Sequence, residues 1–143
     1  MSERININEL EPKAYTAMFG LEGYLGEIEL ESTLKELIKI RASQVNGCAF
    51  CINMHTEQAR KQGETEQRIY ALSAWRESSL FSDEERAVLG LTDAITRIAD
   101  NGVPDAIYTA AEEALGSNQL AQCIMQIATI NAWNRMAVST NMK

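Results

Sequence analysis

The sequence is short of positive charge: 13 lysines and arginines face 20 aspartates and glutamates, giving a formal net charge of −7. That balance repels a phosphate backbone and excludes nucleic acid as a partner. Long apolar runs are also missing. The most apolar stretch, Leu120 to Val138, is interrupted by Gln122, Gln126, Asn131, Asn134 and Arg135, so no membrane segment is expected. Met1 to Leu10 has neither a basic start nor a continuous apolar stretch, which argues against a secretory signal and for a cytoplasmic protein. Cysteine is scarce as well. In a reducing compartment three cysteines are not a structural disulfide framework, and two placed close together read as catalytic or metal-binding.

What is present is a chain of helical signals. With 143 residues, 45% hydrophobic and 23% charged, residues 1–143 are expected to form one compact domain. The two prolines, Pro12 and Pro104, both stand where a helix can begin. A first helix is predicted over about Glu11 to Tyr24. A second, over about Ser32 to Val45, has Ser32 as its N-cap and an imperfect capping box, and Asn46-Gly47 stops it. The third begins around Cys48 and reaches Arg60 or Lys61 before Gly63, and the fourth runs from Thr65 to about Trp75. Ser82-Asp83-Glu84-Glu85 is a full capping box, followed by Val88, Leu91, Ile95 and Ile98 at helical spacing up to Asn101-Gly102. Pro104 to Leu115 makes a sixth helix, and Ser117 caps a seventh that reaches about Val138. No segment alternates with the period of a strand, so the expected fold class is all-α, a bundle of about six to seven helices.

The chemistry-bearing residues cluster on the third helix. Cys48, Cys51 and His55, the only histidine, fall at i, i+3 and i+7 and share one helix face. The thiolate is the reactive form of cysteine, and both a helix N-terminus and a neighbouring base favour it. Cys48 is expected in the first turn, where the dipole acts most strongly, whereas Cys51 is better placed to pass its proton to His55. Spacing alone leaves open which sulfur attacks first. Two sulfurs one turn apart can close a disulfide, which permits dithiol exchange or peroxide reduction. Glu36 lies twelve residues before Cys48 among Leu34, Leu37, Ile38 and Ile40. A poorly solvated carboxylate there could hold the His55 ring, although a surface pairing with Lys35 or Lys39 is the plainer reading.

Glu36, the stretch Ser43-Gln44-Val45-Asn46-Gly47-Cys48-Ala49-Phe50-Cys51, and His55 together resemble the motif of the alkylhydroperoxidase D-like (AhpD-like) branch of the carboxymuconolactone decarboxylase family. The resemblance extends over roughly residues 30 to 140, including Asn131-Ala132-Trp133-Asn134-Arg135. It implies an AhpD-like helical fold, a homotrimer or homohexamer, Cys51 as the peroxide-attacking thiol, Cys48 as its resolving partner, and Glu36 with His55 as a proton relay. It further implies a hydroperoxide or small disulfide as substrate and a cellular dithiol as reductant, with no organic cofactor and no metal. One position departs from the pattern: Phe50 stands where the founding enzyme has a histidine. The namesake decarboxylases lack the paired cysteines, which argues against lactone decarboxylation here.

Plainer readings stand beside these. A zinc site could draw on Cys48, Cys51, His55 and either Cys123 or Glu36, in a helical assembly that senses redox state without turnover. Cys123 reads as a small apolar core residue. Trp133, Asn134 and Arg135 read as packing or subunit contacts, and Met54 reads as a core or pocket-lining candidate that points a different way around the helix from His55. The last helix is apolar nearly all round, which predicts cover from a second subunit. Light scattering at micromolar concentration is therefore expected to give a mass above the 15.9 kDa monomer, and a monomer mass would reject the assembly.

Overall fold

The computed structural model describes residues 4–143; of the expected leaderless stretch Met1 to Leu10, residues 1–3 lie outside the described residues. The described residues form nine α-helices, one 3₁₀ turn and no strand. In chain order these are α1 (Ile7–Leu10), α2 (Pro12–Leu25), α3 (Ser32–Asn46), α4 (Ala49–Lys61) and α5 (Glu66–Ala71) with its 3₁₀ continuation (Leu72–Ala74). There follow α6 (Asp83–Thr96), α7 (Ile98–Asn101), α8 (Asp105–Leu115) and α9 (Ser117–Thr140). The short helices α1 and α7, four residues each, raise the number above the six or seven expected.

Local signals explain most helix starts. At α6 the Glu85 N–H donates to Ser82 Oγ at 3.1 Å while the Ser82 N–H donates to Glu85 Oε1 at 2.8 Å, a closed capping box. Thr65 caps α5 by accepting the Arg68 N–H. Three expectations need correction. Ser32 and Ser117 are first helical residues, and the caps before them, Glu31 and Gly116, make no side-chain bond. Ile98 does not continue the α6 face: the backbone leaves the helical region at Arg97 (φ −103°, ψ 37°), and Ile98 is 56% exposed.

Helix α3 is the hub, because it buries two opposite faces. Leu34, Ile38 and Ala42 enter a core shared with Val88 and Leu91 of α6, Ala111 of α8, and Leu120, Ile127 and Ile130 of α9. Leu37 and Ile40 enter a second core with Ala59, Ile69, Leu72, Trp75, Phe81 and Leu89. Each fully buried Leu or Ile contributes about 1.5–3 kcal/mol relative to exposure, so α3 is fixed from both sides before any polar contact is made.

Helix α9 differs from the expected all-round apolar cylinder. Its polar residues Gln126, Thr129, Asn131 and Asn134 are buried, while Ala121, Met125, Ala128 and Val138 are exposed. The buried asparagines are put to use. Asn46 donates to both Asn131 Oδ1 and Asn134 Oδ1 at 2.9 Å, Asn134 donates to Ser43 Oγ at 3.0 Å, and Asn131 donates to Thr96 Oγ1 at 3.0 Å. This network fastens the C-terminal end of α3 to α9.

A second buried polar centre joins α3 to α6. Arg41 grips Asp93 with two bonds of 2.7 and 3.0 Å, and Trp75 Nε1 and Arg76 also donate to Asp93 Oδ2. Burial alone would raise the Asp93 carboxyl, but these partners outweigh it and hold the pKa below the usual aspartate value. Glu85 is lowered in the same way: burial opposes ionisation, and Arg68 with the Ser82 cap overcomes it. A carboxylate whose folded pKa is depressed stabilises the fold above its unfolded pKa, and that stability is lost as pH falls through the folded value. Urea midpoints should therefore decline below about pH 4. Asp93→Asn should lose about 3–5 kcal/mol at neutral pH, because Arg41 is left buried without its counterion, and its midpoint should depend less on pH in the acid range.

Candidate active site

The site is built on the reversal between α3 and α4. Gly47 adopts the left-handed conformation (φ 67°, ψ 33°). Its N–H donates to Gln44 O and the Cys48 N–H donates to Ser43 O at 2.9 Å, the paired bonds that close a helix C-terminus. Cys48 then serves at once as the N-cap of α4, with extended backbone and its Sγ accepting the Cys51 N–H at 3.3 Å. This corrects the expected register: Cys48 precedes the first turn, and Cys51 lies within it. The two are joined in a disulfide with Cα atoms 5.3 Å apart.

Both sulfurs are enclosed, Cys48 at 2% and Cys51 at 3% exposure, in a small cluster with Ala137, Phe50 and Met142. Their surroundings nevertheless differ. Cys51 lines a cavity of about 350 Å³ together with His55, whereas Cys48 does not reach that cavity. One sulfur therefore faces the space a small molecule can enter, and the other lies behind it.

Glu36 and His55 meet across the α3–α4 pair. His55 Nδ1 lies 3.6 Å from Glu36 Oε2, slightly beyond hydrogen-bond length, and both atoms are buried with no other partner. Glu36 Oε1 binds Lys39 Nζ at 2.7 Å, while Lys35 turns away to the Leu25 carbonyl. Glu36 is thus buried rather than a solvated surface charge, with one carboxylate oxygen on the lysine and the other toward the imidazole. Burial raises the Glu36 carboxyl, but His55 and Lys39 together outweigh it and leave its pKa below the ordinary glutamate value, so Glu36 is an anion at neutral pH.

Cys123 stays apart. It packs in the large core with Leu34, Ile38 and Ile127, and burial pushes its thiol up to about 12. The ligand set that combined Cys123 with Cys48, Cys51 and His55 is thus not assembled.

The cavity also recruits residues outside the recognised motif. Trp133 of α9, which read as packing, forms part of its wall, as do Tyr15, Phe19 and Glu22 of α2. Met54, a core or pocket-lining candidate from the sequence, lines it too. Nothing in the sequence flags the α2 residues, since they reach the site only through tertiary pairing with α9. Lys39 was visible through its i,i+3 spacing from Glu36. Phe50, at the position of the founding enzyme's histidine, supplies an apolar face to the same cavity.

Comparison with known proteins shows the family and the fold. Residues 12–94, from α2 into α6, match the carboxymuconolactone decarboxylase family. The chain belongs to that family. Within it the chain falls in the AhpD-like branch. It is 45% identical over 139 residues to the uncharacterized protein YdfG of Bacillus subtilis strain 168, covering 97% of this chain and 95% of YdfG. It superposes with a TM-score of 0.96 and 39% identity on ATU0492 of Agrobacterium tumefaciens, a protein of unknown function provisionally assigned as the antioxidant defence protein AhpD. That match covers 99% of this chain and 97% of the other. An uncharacterized peroxidase-related protein with an AhpD core from Ralstonia eutropha JMP134 shares the fold at a TM-score of 0.81 and 19% identity, covering 95% and 73% of the two chains. For this family member, alkylation of the reduced, folded protein at pH 8 should label Cys51, while Cys123 should react only after unfolding. Peptide mass mapping distinguishes the two, and labelling of Cys123 in the native state would contradict its burial.

Proposed function

We propose that this chain is a cysteine-based thiol peroxidase of the AhpD-like type, a single cytoplasmic domain working as a homotrimer or homohexamer. The observation that carries the reading is the pairing of Cys51 with His55 on one cavity, with Cys48 bonded behind Cys51 and the Glu36 carboxylate behind His55. Cys51 is the catalytic nucleophile, because it is the sulfur a substrate can reach. Its position in the first turn of α4 and its neighbouring imidazole both favour the thiolate.

In the oxidative half, His55 takes the Cys51 proton and the thiolate attacks the terminal oxygen of a hydroperoxide, ROOH. An S–O bond forms and the O–O bond breaks. Sulfur is oxidised to the sulfenic acid, and the leaving RO⁻ takes the proton from His55 to depart as ROH. The Glu36 anion stabilises the imidazolium that exists between these transfers. Phe50 cannot supply this proton, so the burden falls on His55. The Cys48 thiol then attacks the Cys51 sulfur, the S–S bond forms, and the hydroxyl leaves as water with the Cys48 proton. A cellular dithiol restores both thiols by exchange and is itself oxidised.

Peroxide consumption with dithiothreitol as reductant tests the scheme. Cys51→Ser should abolish turnover. Cys48→Ser should allow a single oxidation that leaves Cys51 as a sulfenic acid trapped by dimedone. His55→Asn should lower kcat/KM by about 10²–10⁴-fold. Wild-type protein that leaves hydroperoxide untouched in excess dithiol would overturn the reading and favour a redox sensor.

A further inference from the structure

Glu36 and His55 face an electrostatic difficulty that the two of them do not resolve alone. Both side chains are enclosed, Glu36 at 5% and His55 at 12% exposure. A buried carboxylate whose sole partner was an imidazole would draw a proton onto the ring and keep it there, because an unbalanced charge is costly away from water. A ring that already holds that proton cannot take one from Cys51.

Lys39 supplies the missing charge. It stands one turn on from Glu36 in α3, and its Nζ lies 2.7 Å from Glu36 Oε1 with the side chain 15% exposed. Among the residues that line the cavity it is the only lysine or arginine. Other cations of α3 are committed elsewhere: Lys35 donates to the Leu25 carbonyl at 3.1 Å, and Arg41 grips Asp93. The lysine occupies one carboxylate oxygen and leaves the other, Oε2, 3.6 Å from His55 Nδ1. The remaining titratable groups on the cavity are Tyr15 and Glu22 of α2 and Cys51 of α4, while α9 brings only Trp133 and Ala137. Glu22 accepts the Trp133 Nε1–H at 2.9 Å, and its charge, like that of Glu36, favours a protonated ring. Lys39 is the positive charge that opposes them.

We propose that Lys39 is a positioning residue of the relay: its ammonium holds one Glu36 oxygen and balances that carboxylate, leaving His55 oriented by the other oxygen and free to accept the Cys51 proton. The purpose of this arrangement rests on the peroxidase reading, but its measurement does not. His55 is the chain's only histidine, so NMR follows its ring unambiguously. In the oxidised protein Cys48 and Cys51 are bonded and do not titrate, so the ring reports its charged neighbours. In the full-length oxidised protein the His55 midpoint should lie about one pH unit higher in Lys39→Gln than in wild type, since glutamine keeps a donor for Glu36 and loses the charge. Lys39→Arg keeps both and should return the midpoint close to its wild-type position. Lys39→Met keeps the apolar stem, should raise the midpoint as well, and replaces the glutamine variant if that one does not fold. In turnover of hydroperoxide, the acid limb of the kcat/KM profile should move up with the midpoint. A merely structural role would lower thermal stability and leave both in place. A midpoint that fails to rise in Lys39→Gln or Lys39→Met, or that Lys39→Arg does not restore, overturns the proposal. A raised midpoint in a protein that consumes no hydroperoxide keeps Lys39 as the charge partner of the relay and sinks the peroxidase reading instead.

Discussion

The arrangement depends on one tight reversal, the left-handed Gly47 between α3 and α4. A side chain at that backbone conformation costs about 1–2 kcal/mol, whereas glycine adopts it freely. Because the Cys48 N–H is spent on closing α3 and its sulfur on opening α4, no linker separates the two helices. They run back along each other, which is how Glu36 on one comes to face His55 on the other. A longer connection would let α4 slide or rotate, and the carboxylate, imidazole and sulfurs would no longer share a position.

Around this reversal, apolar and polar packing divide the work. The apolar faces of α3 hold it in two cores, but apolar contacts are non-directional and tolerate small rotations. The asparagine network at the end of α3 and the Arg41–Asp93 pair supply directional contacts that fix rotation and register. Such groups are costly to bury unpaired, so each network is stable only in the geometry that satisfies all its members. The sulfurs pack in a small separate cluster with Ala137, Phe50 and Met142. Cys51 thereby borders the cavity while Cys48 stays covered.

Much of this was legible in the residues themselves. The Ser82 capping box and the Asn46-Gly47 stop are local signals, and they act where expected because their hydrogen bonds close within a few residues. The one-turn spacing of Cys48 and Cys51 likewise determined that the two sulfurs could bond. The misjudged points share a different cause. Whether Ile98 is buried depends on a backbone break at Arg97, and the direction of α9 depends on partners for its amides supplied by α3 and α6.

The sequence by itself therefore determined the helical class and the close spacing of Cys48, Cys51 and His55, since each follows from helical periodicity or short-range spacing, whereas Glu36 was singled out by the family resemblance. Only the tertiary structure decided which sulfur meets the cavity, how Glu36 divides its two oxygens between Lys39 and His55, and that α2 and Trp133 wall the site. The physical reason is range: capping and i,i+4 contacts are written into neighbouring residues, whereas a cavity exists only where helices distant in the chain fail to fill the space between them.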